Sequence, residues 1–184
     1  MSTARALRTR ERILDAALDL FELHGYSATT TTQIAERAGI TQMTFFRHFP
    51  TKESVLVSDP FDPQIAAAVG VQPPDLPPFE RVRCGLLWAV TQLPTREDAL
   101  ARRRVALVAA VPILRGAVAA SMQLTQDAIV DVLVDQGVDR FAAIVATAAC
   151  LGAISAALLA WSDLPDGTSL RDVVERALNG LASR

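Results

Sequence analysis

The fold is decided by residues 30–56, which read TTTQIAERAGITQMTFFRHFPTKESVL. Thr30 followed by Gln33 has the spacing of a capping box, in which the hydroxyl accepts from the third helical amide and the amide side chain reaches back. A helix is therefore predicted over residues 31–38. Gly39 comes directly after it and is suited to the left-handed turn that commonly ends a helix.

A second short helix is predicted after this turn. Thr41 can cap it and Pro50 ends it, because the residue before a proline avoids the helical region, so residues 42–49 are predicted to be helical. Upstream, apolar residues recur with helical spacing over residues 7–24, and Gly25 is placed to end that longer helix. Two short helices joined by a turn are the plan of a helix-turn-helix, although periodicity alone also fits any helical hairpin with a solvated polar face.

The composition favours an all-helical protein and excludes intrinsic disorder. Of the 184 residues, 51% are hydrophobic and only 5% are aromatic, and no stretch alternates apolar and polar residues over the length of a strand. Residues 1–52 hold seven basic and five acidic side chains, whereas the remainder holds eleven and fifteen. A polyanion would therefore meet the N-terminal end. Cys84 and Cys150 are expected to be buried apolar thiols in a reducing compartment.

Residues 8–57 resemble the DNA-binding domain of the TetR family of bacterial transcriptional regulators. The resemblance lies in the Gly-Tyr after the first helix, in Ile-Ala-x-x-Ala-Gly-Ile, in Thr-Phe-Phe-x-His-Phe-Pro and in the following Lys-Glu, all in register without a gap. It implies a homodimer whose two recognition helices enter successive major grooves of a DNA operator. It also implies release from DNA when a small-molecule effector binds the C-terminal domain.

The residues expected to contact DNA lie on and around the second short helix. Gln42 can hydrogen-bond a base edge, most naturally that of adenine, and Met43 can contact a thymine methyl. Phe46 departs from the family pattern, in which a tyrosine usually offers its hydroxyl to phosphate, and Thr31 departs from it where an aliphatic residue is usual. The complete set expected to read bases or to bind phosphate and sugar is Thr30, Thr41, Gln42, Met43, Thr44, Phe46, Arg47, His48 and Lys52.

The domain boundary is predicted after Lys52. Residues 1–52 then form a three-helix helix-turn-helix domain, and residues 53–184 form a helical domain for effector binding and dimerisation. Pro60 and Pro63 interrupt what is commonly one long fourth helix in the family, since two prolines so close together forbid a continuous hydrogen-bond ladder. A kinked or mobile link is expected there.

Dimerisation is expected at the last two long helices. Residues 141–161 carry no charge over a length that could cross a bilayer, but their alanine-rich composition favours a helix hidden on most sides within the protein. Together with the apolar face of the last helix, this segment resembles the helices that pair across the TetR dimer, and a buried core helix is the alternative. The interface residues expected are Ala148, Gly152, Ala156, Leu159, Val174 and Leu178.

The effector pocket is expected among the earlier helices, and its apolar character favours a hydrophobic effector. Arg83, beside Trp88, could meet an acidic group of the ligand, with a surface salt bridge as the alternative. The lining residues expected are Phe79, Arg83, Leu87, Trp88, Thr91, Met122 and Gln126, with Arg103 and Leu107 as further candidates.

Catalysis, metal binding and a cofactor are not expected. The two histidines both fall in the helix-turn-helix region, and the sequence contains no phosphate-binding glycine motif or nucleophile elbow. The acidic stripe Asp127, Asp131 and Asp135 is interpreted as a solvated face. Because the polar N-terminus is not followed by an apolar signal region, a cytoplasmic protein without membrane contact is expected. The alternative function is a ligand-binding helical dimer with weak or corepressor-dependent DNA binding.

Overall fold

The computed structural model describes residues 2–58, 62–92 and 97–182, and these ranges contain ten α-helices and two 3-10 helices but no strand. The α-helices are α1 (Ser2–His24), α2 (Thr31–Arg37), α3 (Gln42–His48), α4 (Ser54–Val57), α5 (Asp62–Gly70), α6 (Pro78–Thr91), α7 (Glu97–Ala110), α8 (Arg115–Asp135), α9 (Arg140–Leu159) and α10 (Leu170–Ala182). The 3-10 helices are Pro112–Leu114 and Trp161–Asp163. The predicted all-α class is confirmed.

The chain divides into two compact units. The first comprises Met1–Ser58 and Arg103–Val118, and the second comprises Asp59–Arg102 and Ala119–Arg184. The boundary predicted after Lys52 falls inside the first unit, which also takes up a segment from much later in the chain.

The predicted caps organise the helix-turn-helix. Both halves of the capping box are present, with Gln33 N donating to Thr30 Oγ1 at 3.2 Å and Thr30 N donating to Gln33 Oε1 at 2.8 Å. Gly39 takes the left-handed conformation, with φ of 64°. Thr41 Oγ1 accepts from Thr44 N at 3.1 Å and so caps α3. Both short helices end one residue earlier than predicted.

The two flanking helices differ from expectation at their starts. α1 begins at Ser2, five residues before the predicted start, and ends at His24 as predicted. Thr51 predicts a fourth helix that starts at Lys52, but α4 begins at Ser54, with Glu53 at its cap position. Thr51 Oγ1 accepts from Ser54 N at 3.1 Å, in the turn before the helix.

The long fourth helix that is common in the family is interrupted in this chain, as predicted. α4 ends at Val57 and α5 begins at Asp62. Residues 59–61 lie outside the described part of the chain, so the kinked or mobile character of the link stays a prediction. Pro63 falls in the first turn of α5, where its missing amide costs no helical hydrogen bond.

Each unit has its own apolar core. In the first unit the rings of Phe21 and Tyr26 lie 5.1 Å apart and those of Phe45 and Phe49 lie 6.1 Å apart. The buried residues of its first four helices include Ile13, Ala17, Leu18, Phe21, Ile34, Ala35, Phe45, Val55 and Leu56. The core of the second unit is formed by Ala66, Val69, Val82, Leu86, Ile129, Val130, Leu133, Ala143, Ala146, Cys150, Val174 and Leu178.

A glycine brings two helices of the second unit together. A Cβ on Gly85 of α6 would lie 2.6 Å from Val69 Cα of α5, so only glycine permits this backbone approach. The buried thiol of Cys150 lies in the same core, where burial raises its pKa to about 12, and it is therefore unreactive near neutral pH. Cys84, in contrast to expectation, is only half-buried.

Candidate nucleic-acid interface

The helix α3 presents two chemically different faces. Phe45 is fully buried and anchors the inner face. On the outer face Met43 is 83% exposed and Phe46 is 45% exposed, and the polar residues Gln42 and Arg47 are exposed beside them. The sequence-predicted readout residues therefore share one open surface on a helix whose opposite side is fixed in a core. Such a surface can enter the major groove of DNA.

Gln42 is held in place by a neighbouring helix. Its Nε2 donates to Thr32 Oγ1 at 3.2 Å, at the start of α2. A side chain whose amide plane is already oriented loses less conformational entropy when it pairs with a base edge. Thr32 was missed by sequence reasoning, because nothing in the local pattern shows that the start of α2 meets the start of α3.

The threonines predicted to contact phosphate already have partners. Thr30 Oγ1 lies 3.1 Å from Gln33 Oε1, and Thr41 Oγ1 lies 2.9 Å from Thr44 Oγ1. Their primary role in the free protein is therefore to cap α2 and α3. Thr30 and Thr41 are exposed and Thr44 is half-buried, so each of these phosphate contacts stays a prediction.

Lys52, which was predicted to bind phosphate, also makes structural contacts within the protein. Its Nζ donates at 2.9 Å to the carbonyls of both Tyr26 and Thr29 and lies 4.3 Å from the centroid of the Tyr26 ring. The ammonium thus holds the loop between α1 and α2, and one of its three N–H bonds remains for phosphate. Because α4 begins at Ser54, Lys52 does not lie at a helix start as expected.

A hydrogen bond between Tyr26 and Glu53 adds to the contacts that Lys52 makes with the loop between α1 and α2. Tyr26 Oη donates to Glu53 Oε1 at 2.7 Å. Burial raises the pKa of Tyr26, with the neighbouring Glu53 carboxylate raising it further, and the same hydrogen bond lowers the pKa of Glu53. Tyr26 is therefore a neutral donor at physiological pH, and the Lys52-Tyr26-Glu53 group is a structural clamp on the helix-turn-helix.

Two basic residues of the N-terminal region donate to backbone carbonyls of the helix-turn-helix; Arg10 is half-buried and Arg12 stays exposed. Arg10 Nη1 donates to the carbonyl of His48 at 2.8 Å, at the end of α3. Arg12 Nη2 donates to the carbonyl of Ala38, at the end of α2. The charge of Arg10 is accordingly less available to DNA than the sequence count indicates.

His48 is half-buried, and its pKa lies below the ordinary value. Burial is the main cause, since it penalises the charged ring, and repulsion by Arg47 and Arg10 adds to it. We expect an NMR titration, assigned with His48→Gln, to give a midpoint below about 6.5. Because the folded-state pKa is depressed, the contribution of His48 to stability is present at higher pH and is lost as pH falls through that pKa. A midpoint at or above the ordinary value would contradict this environment.

The residues predicted to line an effector pocket have mixed surroundings in the second unit. Phe79 and Leu87 pack against its core, whereas Trp88 is 50% exposed and Thr91 donates to the Trp88 carbonyl at 2.7 Å. Met122 and Gln126 are half-buried on α8. The pocket stays a prediction.

The two arginines considered for that pocket are engaged elsewhere. Arg83 pairs with Glu80 at 2.8 Å, which raises the pKa of Arg83; this salt bridge is present, and a role of Arg83 in an effector pocket stays a prediction. Arg103 lies in the first unit, where it pairs with Asp19 at 2.9 Å and with Glu22 at 2.8 Å. Its candidate role as a pocket residue stays a prediction.

The helix α9 has one face in the core and one face without cover. Ala143, Ala146, Thr147 and Cys150 are buried on the inner face. The outer face is apolar and exposed, with Phe141 at 75%, Val145 at 51% and Leu159 at 52% exposure. The small residues predicted at the dimer interface, Ala148, Gly152 and Ala156, lie exposed on the same helix. The expectation of a helix hidden on most sides is wrong for the single chain.

Val174 and Leu178 were also predicted at the dimer interface, and the structure corrects both. They pack in the core of their own chain, where Val174 keeps 6% and Leu178 none of its exposed surface. The amphipathic pattern of α10 was interpreted correctly as an apolar face, but that face is turned towards α9 and α6. Little of it is left for a second chain.

Two helical segments among the described residues are long and apolar enough to cross a membrane by length and composition alone. They are Pro112–Asp135 and Arg140–Leu159, with mean hydropathies of 1.2 and 2.2. Soluble proteins with long core helices pass the same test, so this is weak evidence.

The acidic stripe on α8 makes ordinary surface contacts. Asp127 accepts from Gln123 Nε2 at 2.8 Å, and Asp131 lies 3.8 Å from Arg140. Within the part of the chain that the structure describes, no group of three or more His, Cys, Asp or Glu side chains is placed to hold a metal ion.

Comparison with known proteins assigns both parts of the chain. Residues 13–58 match the model described as bacterial regulatory proteins, tetR family, and residues 76–184 match that of the MftR C-terminal domain. The transcriptional regulator TcmR of Streptomyces glaucescens is 43% identical over 68 residues, which cover 36% of this chain and 30% of TcmR. The repressor KstR of Rhodococcus jostii is 36% identical over 92 residues, which cover 50% of this chain and 43% of KstR. Less than half of either relative is thus spanned.

Solved structures resemble nearly the whole chain. SmeT, the repressor of the Stenotrophomonas maltophilia efflux pump SmeDEF, in complex with triclosan, has a TM-score of 0.60 at 23% identity, covering 96% of this chain and 91% of SmeT. The repressor FadR of Thermus thermophilus, in complex with lauroyl-CoA, has a TM-score of 0.50 at 26% identity, covering 94% and 93%. At this similarity SmeT shows a shared fold and no more.

Proposed function

Because the chain belongs to the TetR family of bacterial regulatory proteins, a family of DNA-binding transcription regulators and not of enzymes, we propose that it is a transcriptional repressor. It binds a palindromic operator as a homodimer in the cytoplasm, and a small, largely hydrophobic effector releases it. The exposed face of α3 carries this proposal: Gln42, Met43 and Arg47 lie open on a helix that Phe45 fixes in a core.

A binding titration tests the proposal. An operator is first selected from random duplexes with the purified chain, and its affinity is then measured against salt concentration. We expect log K to fall linearly with log salt, with the slope of several released counterions, and the operator to be preferred over random DNA by about 10³-fold or more. A flat salt response, or no preference for any sequence, would rule out the repressor.

The alternative is a ligand-binding dimer with weak or corepressor-dependent DNA binding. It is favoured by Phe46, which has no hydroxyl for phosphate, and by Lys52, whose ammonium already serves two carbonyls. The same titration separates the two functions. If the alternative holds, operator affinity is low until the effector is added and then rises, whereas a released repressor loses affinity on that addition.

The outer face of α3 allows a prediction that divides base reading from phosphate binding. Gln42→Ala is expected to cost about 1–3 kcal/mol on the selected operator and to relax base choice, because a base-edge hydrogen-bond partner is lost. Arg47→Ala is expected to weaken operator and random DNA alike and to reduce the salt slope by about one. Lys52→Ala, the obvious phosphate variant from the sequence, also removes a structural clamp and is a poorer probe. Equal losses on both DNAs for Gln42→Ala would contradict the division.

The effector is proposed to be hydrophobic. Two related structures hold ligands with a large apolar part, triclosan in SmeT and lauroyl-CoA, with its apolar acyl chain and polyanionic CoA group, in Thermus thermophilus FadR; these compounds are therefore suitable probes. Native mass spectrometry of the purified chain is expected to show twice its mass of 19.7 kDa, with an adduct after incubation with a probe that releases operator DNA. A clean monomer would contradict the dimer. Release of DNA only by polar metabolites would contradict a hydrophobic effector.

A further inference from the structure

The last residues of α2 and α3 are each bound by an arginine from α1. Arg12 Nη2 donates to the carbonyl of Ala38, which caps the end of α2. The next residue is Gly39 in the left-handed conformation, and a Cβ there would lie 3.3 Å from Arg12 Nη2. The guanidinium therefore sits directly against the turn of the helix-turn-helix.

Arg10 makes the more extensive set of contacts. Its Nη1 donates to the carbonyl of His48 at 2.8 Å, and its Nη2 donates to the hydroxyl of Ser58, just after α4. The guanidinium carbon also lies 4.0 Å from the centroid of the Phe49 ring. One half-buried side chain thus connects the end of α3, the end of α4 and the aromatic core.

These contacts have a common physical basis. The last carbonyls of a helix have no partner within it and carry the negative end of the helix dipole, so a cation placed there is stabilising. Arg10 and Arg12 are two residues apart on a rigid helix, and their targets are the ends of the two helices that form the helix-turn-helix. The distance and angle between those ends are therefore fixed from α1.

We propose that Arg10 and Arg12 are positioning residues, an arginine brace that fixes α3 in the orientation needed for sequence-specific DNA binding. The proposal rests on the proposed function for its DNA consequence, but the brace itself is a property of the free protein. It differs from the expectation that basic residues in this region serve to contact phosphate. A lysine can still bind phosphate as a point charge, whereas the Arg10 contacts use two nitrogens of one planar guanidinium on two separate acceptors.

Lysine variants separate the two roles because they retain the charge. In the absence of DNA, Arg10→Lys is expected to accelerate hydrogen exchange at the Phe49 amide, which ends α3 by donating to the Phe45 carbonyl. On the selected operator it is expected to lower affinity by about tenfold or more while leaving the salt slope unchanged. Arg12→Lys is expected to act in the same direction at the end of α2, and less strongly because Arg12 is more exposed.

Arg8→Lys is the matched control, since Arg8 lies exposed on the same helix. It is expected to leave both the exchange rate and the operator affinity unchanged. If Arg10→Lys does not fold, Ser58→Ala removes one acceptor of Arg10 and leaves its charge in place, and a smaller acceleration of exchange at the Phe49 amide is then expected.

The two hypotheses fail in distinguishable ways. If Arg10→Lys matches the wild type in both exchange and operator affinity, the brace is overturned and positive charge alone suffices. If the wild type binds no sequence specifically, the proposed function fails, and the exchange measurement still decides the brace. If exchange accelerates but operator affinity is unchanged, the contacts are structural and the positioning role is overturned.

Discussion

Gly152→Arg is expected to yield a monomer that has lost operator binding. Gly152 lies at the centre of the exposed small-residue face of α9, and a Cβ there meets nothing within 4 Å in the single chain. The variant should therefore fold, while its long charged side chain holds a second copy of α9 away. Without the dimer, two half-sites can no longer be bound by one molecule, and we expect operator affinity to fall by about 10²- to 10⁴-fold.

Gly116→Arg provides the control for this experiment. Gly116 is also an exposed glycine within a helix, and a Cβ there likewise meets nothing within 4 Å. The substitution adds the same side chain and the same charge, in the first turn of α8. Sedimentation velocity measures the assembly of both variants. A dimeric Gly152→Arg protein with full affinity would show that the face of α9 is not the interface.

Phe45→Ala is expected to unfold the helix-turn-helix and to abolish DNA binding. The ring has no exposed surface and contacts both neighbouring rings of α3 and its cap, at 5.4 Å from Phe46 and 6.1 Å from Phe49. Truncating a fully buried phenylalanine costs about 3–5 kcal/mol, which is a large part of the stability of a small unit. Hydrogen exchange across α1 to α4 measures the loss of structure. Tryptophan fluorescence would not report it, because both tryptophans lie in the second unit.

The adjacent ring supplies the comparison. Phe46 is 45% exposed, so Phe46→Ala is expected to retain native exchange in α1 to α4 and to weaken DNA binding only through the lost packing of the ring on sugar. Similar loss of protection in both variants would mean that α3 is not oriented as described, with one ring inside and one outside.

The helix-turn-helix was predictable because its signals are local. Thr30, Gln33, Gly39 and Thr41 each act on residues at most three or four positions away, and their geometry follows from spacing alone. The same spacing placed Gln42, Met43 and Arg47 on an open face. Local chemistry was thus sufficient for the part of the chain that is proposed to read DNA.

Contacts between distant positions were beyond such reasoning. Arg10 reaches a carbonyl 38 residues away, and every residue has a carbonyl, so no side-chain pattern marks the partner. A related ambiguity affected α10, where hydrophobic periodicity shows that a face is apolar but not whether its own chain or another copy covers it. For this reason Val174 and Leu178 were predicted at the dimer interface, whereas they pack in the core of their own chain.

The composition of the first unit has a consequence for synthesis of the protein. Residues 103–118 belong to that unit, and Arg103 pairs with Asp19 and Glu22 across more than 80 residues of sequence. Domains generally fold as they leave the ribosome, N-terminal parts first. Here the N-terminal helices are made early but lack their last segment until residue 118 has emerged, by which time much of the second unit is already outside. The first unit is therefore complete only after residues 59–102 of the second unit have been made, and a chimaera that exchanges the whole first unit between regulators would need to carry both segments.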